Sequence, residues 1–345
     1  MRGKRWLCRC LLLVVLASLL CMLPAPARAA EIVSSGQCGK DLTWTLDAEG
    51  LLKISGTGDI PDDADENSWD RDAVRRIEIE EGVTGIGRSA FANSPGLESV
   101  SLPKGLLEIS DYAFYGCKSL VEVRFGNGLQ KIGNFAFASC KNLTSAVLPF
   151  GLQSIGEQAF NGCSALTELS LPLGLRQIGK GAFSYCTQLP SVRIPMGIVI
   201  IEEGTFEGCK ALKKVTLSYG VVVILRNAFA DCTSLQTIYI PATVQGIDDS
   251  VFRNCDQLEH VIYQGGGRMW RKIYIVGNEP YYYDQDNLPL RTVIVHTWCN
   301  RFTILGVEEP MCLRCIGKFF FLGGGVAAAL IWLAWGWWKK RRIQW

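Results

Sequence analysis

The sequence predicts a strand-rich repeat solenoid of α/β type, built from about eight units of 23 residues. Two observations carry this prediction, a phenylalanine column and a cysteine column that both advance by 23 residues. Their members are Phe91, Phe114, Phe137, Phe160, Phe183, Phe206, Phe229 and Phe252, and Cys117, Cys140, Cys163, Cys186, Cys209, Cys232 and Cys255. A unit this short cannot bury its apolar face alone, so stacked copies must share one continuous core.

A single copy, "LTELSLPLGLRQIGKGAFSYCTQ" at 166–188, shows what each fixed position does. Its L-x-x-L-x-L spacing at this period is the signature of a leucine-rich-repeat coil. Strand alternation points Leu166, Leu169 and Leu171 inward. Pro172 ends the strand because it has no N–H to donate to the ladder. The later alanine, phenylalanine and cysteine of the unit are predicted to fill the back of the coil.

The cysteine column is predicted to consist of reduced core residues, not of cross-links. Adjacent parallel strands lie about 4.8 Å apart, and stacked side chains point the same way. Their Cβ atoms are then also about 4.8 Å apart, whereas a disulfide needs about 3.8 Å. A zinc site needs ligands that converge on one point, which a straight column does not provide.

Residues 1–29 predict a secretory signal peptide. A basic start, "MRGKR", precedes an apolar run, and Ala27-Arg28-Ala29 fits the A-x-A cleavage pattern. We expect cleavage just before Ala30. A retained first transmembrane helix is the alternative.

Residues 316–338 predict one C-terminal transmembrane helix. The stretch "FFFLGGGVAAALIWLAWGWW" has no charge, and 20 helical residues span about 30 Å, the thickness of a bilayer core. The short tail at 339–345 begins with "KKRR" and is expected to stay in the cytoplasm. Together with the signal peptide, this predicts a single-pass plasma-membrane protein with an extracellular N-terminal domain.

Covers are expected at both ends of the solenoid, because a bare end exposes core and strand edges. At 30–73, alternating apolar residues on both sides of "DAEG" predict a β-hairpin cap, followed by an acidic loop. The solenoid is expected to occupy 74–262. The period is then lost, and 263–315 is predicted to form an irregular C-terminal cap and a juxtamembrane segment.

Cys312 and Cys315 form "CLRC" just before the predicted membrane helix. A disulfide between them is the first interpretation, and a redox pair, a zinc half-site or an intermolecular bridge through Cys299 are the alternatives. The whole chain has only two histidines, so a metal site completed by histidine is disfavoured.

Charge and motifs narrow the function classes. Ten of the 35 basic residues lie in the signal peptide or around the membrane segment, which leaves 25 basic against 33 acidic residues between them. An acidic external domain argues against nucleic acid and anionic lipid as partners. No nucleophile elbow, P-loop or dinucleotide motif is present, so neither an enzyme nor a cofactor is predicted.

Apolar residues at outward positions of successive coils predict one contiguous surface, named here the apolar patch. Its predicted members are Phe150, Leu173, Met196, Val199, Ile200, Tyr219, Val222 and Val223. Large apolar patches on a soluble face usually mark a contact site. In the alternative interpretation, a cap or the loop before Val74 folds over the patch.

The segments "IGKGAFSYC", "IGEQAFNGC" and "IGNFAFASC" closely resemble the BspA-like leucine-rich-repeat family of bacterial surface proteins, and the resemblance covers roughly 36–280. It implies export and a role in adhesion or binding, and it supplies no catalytic residues. The expected function is non-catalytic binding of a protein or glycan on another surface. A structural or self-associating envelope protein is the alternative.

Overall fold

The computed structural model describes residues 31–63 and 69–275, together with the backbone of three short strands at 294–297, 303–304 and 307–308. The predicted signal peptide, membrane helix, basic tail and Cys312–Cys315 pair lie outside the described residues. Among the residues that are described, no helix has the length and apolar character needed to cross a membrane.

The chain winds into a strand-rich β-solenoid of about nine turns, with repeats about 23 residues apart. The N-terminal strands are β1 (Ile32–Gln37), β2 (Leu42–Asp47), β3 (Leu51–Gly56) and β4 (Gly58–Ile60). The repeats contribute β5 (Arg76–Ile79), β6 (Val83–Ile86), β7 (Ser99–Ser101), β8 (Glu108–Ile109), β9 (Glu122–Arg124), β10 (Lys131–Ile132), β11 (Ser145–Val147), β12 (Ser154–Ile155), β13 (Glu168–Ser170), β14 (Gln177–Ile178), β15 (Ser191–Ile194), β16 (Ile200–Ile201), β17 (Lys214–Leu217), β18 (Val223–Ile224), β19 (Thr237–Ile240) and β20 (Gly246–Ile247). The C-terminal elements are β21 (His260–Tyr263), the helix α1 (Gly267–Trp270), β22 (Tyr274–Ile275), β23 (Ile294–Thr297), β24 (Thr303–Ile304) and β25 (Val307–Glu308).

Two parallel sheets run along the solenoid. The odd-numbered strands from β3 to β23 make up the front sheet, whose ladder is interrupted after β9 and after β13. The even-numbered strands from β4 to β22 make up the side sheet, whose ladder is interrupted after β14. The front sheet starts from the antiparallel strands β1, β2 and β3, so the cap contains one strand more than the predicted hairpin. Neither ladder bonds the coil of Phe183 to the coil of Phe206. The back turns join these coils instead, with the Gly181 N–H donating to the Glu203 carbonyl over 2.9 Å.

The back of each coil consists of turns, which corrects the predicted α/β type to a β-solenoid. Two positions per coil, two residues before and two residues after the column phenylalanine, have positive φ. In one coil these are Gln158 (φ 49°) and Gly162 (φ 72°). A left-handed residue cannot continue a right-handed helix, so the chain turns sharply at both points.

The structure also adds a turn to the predicted eight. Trp69 occupies the phenylalanine position of the first turn, and its ring stacks on Phe91 with centroids 5.1 Å apart. It lies 22 residues before Phe91 and is not a phenylalanine, so a search for a strict 23-residue column does not find it.

The predicted inside of the coil is confirmed. All eight column phenylalanines are fully buried and stacked, with centroids 5.1–5.9 Å apart in successive coils. Leu166 is buried, whereas Leu169 and Leu171 pack against the core but stay half-exposed. These two lie where the front ladder is interrupted after β13.

The seven column cysteines are free, which confirms the prediction for this column. Each thiol donates to the carbonyl oxygen of the phenylalanine 26 residues earlier, with Sγ–O distances of 3.1–3.4 Å. Burial raises the pKa of Cys117 and of Cys255 to about 12. Between them, burial raises the pKa of Cys186 well above its ordinary value. These thiols are protonated packing groups and not nucleophiles.

Candidate interaction surface

One corner of the solenoid carries the first column of the apolar patch. Phe150, Leu173, Met196 and Tyr219 follow one another at the repeat step, at the turn between the front and side sheets. Their side chains are 64–77 % exposed. The turn is tightly packed, because the glycine that follows each corner residue lies against the preceding coil. The corner side chain therefore points into solvent. A Cβ at Gly220 would lie 2.6 Å from the Met196 carbonyl oxygen.

The second column lies on the side sheet beside the corner. Val199 and Ile200 are 52 % and 42 % exposed, and Ile200 pairs in parallel register with Val223 of the next coil. The sequence pattern predicts that Val222 and Val223 point outward, but both are only half-exposed. They contribute to the floor of the patch, and the exposed residues form its raised part.

The patch continues past its predicted limit. In the side sheet Val223 pairs with Gly246, and Gly246 pairs with the exposed Tyr274. Gly246 leaves a shallow notch, since the nearest atoms to a Cβ placed there are 3.9–4.0 Å away. Tyr274 follows Gly246 by 28 residues and not by 23, so the repeat pattern gives no signal for it.

At Val222 the backbone of the patch is already hydrogen-bonded to the coils on both sides. The Val222 N–H donates to the Val199 carbonyl over 2.8 Å, and the Gln245 N–H donates to the Val222 carbonyl over 2.8 Å. A partner therefore cannot add a strand at Val222, and side-chain burial is what this part of the patch offers. No described segment covers the exposed members, so the alternative with a cap folded over the patch is not seen in the described part of the chain.

A row of charges borders the side sheet, here named the charged row. It consists of Lys180, Glu203, Arg226 and Asp249, again at the repeat step, with alternating sign. The Lys180 Nζ lies 3.7 Å from a Glu203 carboxylate oxygen. The Arg226 guanidinium makes two contacts of 2.7 Å with the Asp249 carboxylate. These hydrogen bonds lower the pKa of Asp249 below its ordinary value.

Other polar features are engaged within the fold. A cavity of about 400 Å³ near the N-terminal end is lined by Asp59, Asp62, Thr84 and Glu108, among others. Asp59 accepts a hydrogen bond from the Thr84 hydroxyl, Asp62 accepts one from the Arg88 N–H, and Glu108 pairs with Lys131. In the described ranges, no group of His, Cys, Asp or Glu side chains could hold a metal ion.

The back turns carry a second exposed group that sequence reasoning missed. The rings of Tyr112 and Phe135 stack at 4.9 Å, and Tyr115 meets Tyr112 edge-on at 5.8 Å. The 23-residue spacing of Tyr112 and Phe135 is the signal that could have found them. Each stacked ring covers one face of the other, so this cluster is smaller and less open than the apolar patch.

Comparison with known proteins gives one family match. A model described as "BspA type Leucine rich repeat region (6 copies)" matches residues 65–189 and 153–269, more than half of the chain. No curated protein matches the chain.

Among solved structures, a Treponema pallidum leucine-rich-repeat protein ("T. pallidum Leucine Rich Repeat protein") shares 27 % identity, covering 61 % of this chain and 90 % of that one, with a TM-score of 0.45. A leucine-rich-repeat protein from Bacteroides ovatus shares 24 % identity over 65 % and 70 % of the two chains, with a TM-score of 0.46. A leucine-rich cell surface protein from Faecalibacterium prausnitzii shares 21 % identity over 70 % and 98 %, with a TM-score of 0.30.

Proposed function

The chain belongs to the BspA-type leucine-rich-repeat family, and from this premise we propose that it is a non-catalytic recognition protein of the bacterial cell surface that binds its partner through the apolar patch. The observation that carries the proposal is the row of large apolar side chains left in water at one corner of the solenoid. The predicted helix at 316–338 would hold the solenoid at the membrane.

The energetic argument concerns the four corner residues, Phe150, Leu173, Met196 and Tyr219. Burying one large apolar side chain stabilises a complex by about 1.5–3 kcal/mol. Four such residues in one line are therefore enough to dominate an interface, since a few central side chains supply most of the binding energy. Monomeric soluble proteins rarely expose contiguous apolar patches of more than about a few hundred Å² unless the patch binds a partner.

The absence of a catalytic role rests on how the reactive groups are engaged. The column thiols are buried and protonated, as the raised pKa of Cys186 illustrates. The carboxylates of Glu108 and Asp249 are paired with cations of adjacent coils. A nucleophile needs a neighbouring base in an accessible pocket, and these arrangements do not provide one.

The proposal is tested with a triple variant, Val199→Ser, Val222→Ser and Tyr219→Ser, in the full-length chain displayed on cells. The readout is adhesion of these cells to a panel of host and bacterial cells and to one another. The patch variant is expected to lose adhesion, because its apolar side chains no longer repay the desolvation of the partner.

The matched control replaces the same residue types at exposed positions outside the patch, Val121→Ser, Val147→Ser and Tyr115→Ser. It is expected to adhere like the wild type. Equal adhesion of the patch variant and the wild type, with unchanged folding of both, would show that the patch is not the contact surface.

A further inference from the structure

We propose that the occupant of the apolar patch is a second copy of this chain, packed antiparallel about a two-fold axis that passes between the coils of Phe206 and Phe229. The inference rests on the proposed function, because it names the partner of the same surface. It is carried by the order of the side chains along the solenoid, which is self-complementary about that axis in both apolarity and charge.

The geometry follows from the repeat. A two-fold axis that lies along the strand direction in the plane of the contact keeps each column opposite the same column of the partner and reverses the order of the coils. The coil of Phe206 then faces the partner's coil of Phe229, and the coil of Phe183 faces the partner's coil of Phe252. The reversal sets the ring spacing of 5.5 Å between Phe183 and Phe206 against the spacing of 5.9 Å between Phe229 and Phe252, so successive coils stay close to register across the contact.

The apolar columns match under this operation. Val199 and Ile200 of the side sheet meet apolar side chains of the partner. The corner residues Met196 and Leu173 meet another corner side chain and a small residue, respectively. The four contacts, each made twice, are Val199 with the partner's Val222, Ile200 with the partner's Val223, Met196 with the partner's Tyr219, and Leu173 with the partner's Ala242. The side strands of the central two coils, β16 and β18, belong to one unbroken ladder, so this part of the surface is held rigidly.

The charged row matches as well. Its signs alternate from coil to coil, so the axis between two coils places Lys180 opposite the partner's Asp249 and Glu203 opposite the partner's Arg226. An axis through the coil of Phe206 would instead place Glu203 against the same residue of the partner and Lys180 against Arg226. That arrangement pairs like charges, which oppose association.

Neighbouring axes match the apolar columns less well. A shift of the axis by one coil towards the N-terminus places Val199 opposite the partner's Arg176. The proposed axis is therefore the one at which the apolar contacts and the pairing of opposite charges are both favourable. The charged row has no net charge, which gives an anionic membrane or nucleic acid no electrostatic advantage over a second copy.

The test is a charge exchange in the full-length chain, kept in detergent throughout. Two differently tagged copies are co-expressed, and the amount of the second tag captured with the first is measured. Glu203→Arg alone and Arg226→Glu alone each place like charges at two symmetric contacts, so we expect capture to fall by about tenfold. When one copy carries Glu203→Arg and the other Arg226→Glu, both contacts are again between opposite charges, and capture is expected to return to the wild-type level.

Recovery on mixing is the decisive result, because changes inside one chain, such as repulsion between the introduced guanidinium and Lys180 in the Glu203→Arg copy, are the same in the single and mixed samples. Capture that is insensitive to both reversals, or that is not recovered on mixing, overturns the second-copy proposal. If the serine variant of the patch still loses adhesion to other cells in that case, the proposed function stands with a partner of different sequence. Retained adhesion of that variant overturns both.

Discussion

The ring of Tyr185 lies across Gly208 of the next coil, so closely that a Cβ on Gly208 would come within 2.6 Å of the ring Cδ1 atom. Both residues occupy the same back-turn position, and both have positive φ, 58° for Tyr185 and 72° for Gly208. The glycine therefore serves two needs at once, a left-handed turn and space for the tyrosine of the preceding coil.

Gly208→Ala is expected to lower the free energy of unfolding by about 2 kcal/mol, from left-handed strain of about 1 kcal/mol and a clash of similar size. Gly162→Ala is the matched control, because Gly162 has the same φ of 72° and a Cβ placed there would have no neighbouring atom closer than 3.9 Å. Urea denaturation of both variants checks the difference. Adding Tyr185→Ala to Gly208→Ala should remove the clash, and equal losses for the two glycines would contradict this packing.

Because the column thiols are buried, we expect the free energy of unfolding to fall at alkaline pH. The folded pKa of Cys255 is about 12, raised by burial from an ordinary value of 9.0. Below the ordinary value both states keep the proton, and the contribution to stability is fully present. Between 9.0 and about 12 only the unfolded state releases the proton, so unfolding gains about 1.4 kcal/mol per pH unit for each such thiol.

Cys255→Ala removes one such titration, so stability should fall less steeply with pH in the variant than in the wild type. Urea denaturation across this alkaline window measures the two slopes. Parallel slopes would mean that Cys255 is not a protonated, buried thiol in the native protein.

The cysteine column also predicts the number of free thiols in the protein. Denaturing the full-length chain without a reductant should expose at least about seven free thiols, because parallel side chains stacked about 4.8 Å apart do not meet disulfide geometry. Titration with a thiol reagent before and after denaturation checks this, and the native protein should react slowly at these positions. Nearly complete oxidation of the column would contradict the packing of the thiols against the phenylalanine carbonyls.

The inside and outside of one coil should respond very differently to truncation. Phe183 is fully buried between Phe160 and Phe206, with ring centroids 5.3 and 5.5 Å away, so Phe183→Ala is expected to destabilise by about 3–5 kcal/mol. Within its own chain, Lys180→Ala loses one exposed ion pair, with Glu203, and the stability of the single chain should stay within about 0.5 kcal/mol. Thermal unfolding of both variants compares them, and similar shifts in Tm would refute the assignment.

The coil could be predicted from the sequence because two buried columns each repeat one residue type, phenylalanine or cysteine, at the 23-residue step. Phe183 and Cys186 could be placed inside from spacing alone, since a core position tolerates few residue types. The front strand followed from the same register, whereas the side strand was not predicted. The back turns could not be read in this way, because Gln158 and Tyr185 have positive φ that their residue types do not announce.

The sequence predicted which residues belong to the apolar patch, but not how exposed each of them is. Apolar residues at the repeat step identified Met196 and Tyr219. The residue types alone do not show how far the neighbouring coil covers Val222 and Val223. Tyr274 could not be found, because the last turn departs from the 23-residue step before reaching it. Wherever the period ends, a position in the sequence no longer specifies a position on the surface.

The last prediction concerns the N-terminal end of the phenylalanine stack. Trp69 closes this stack, since its ring lies on Phe91 at 5.1 Å and meets Trp44 edge-on at 6.1 Å. Trp69→Ala would expose the first phenylalanine and leave a cavity, and it is expected to destabilise by about 3–5 kcal/mol. The Trp69 Nε1 atom is buried and has no hydrogen-bond partner among the described residues. Trp69→Phe keeps a ring over Phe91 and removes this unsatisfied donor, so its loss should stay near about 1 kcal/mol. Urea denaturation of the two variants measures the difference, and a phenylalanine variant as unstable as the alanine variant would show that Trp69 does not act as the last ring of the column.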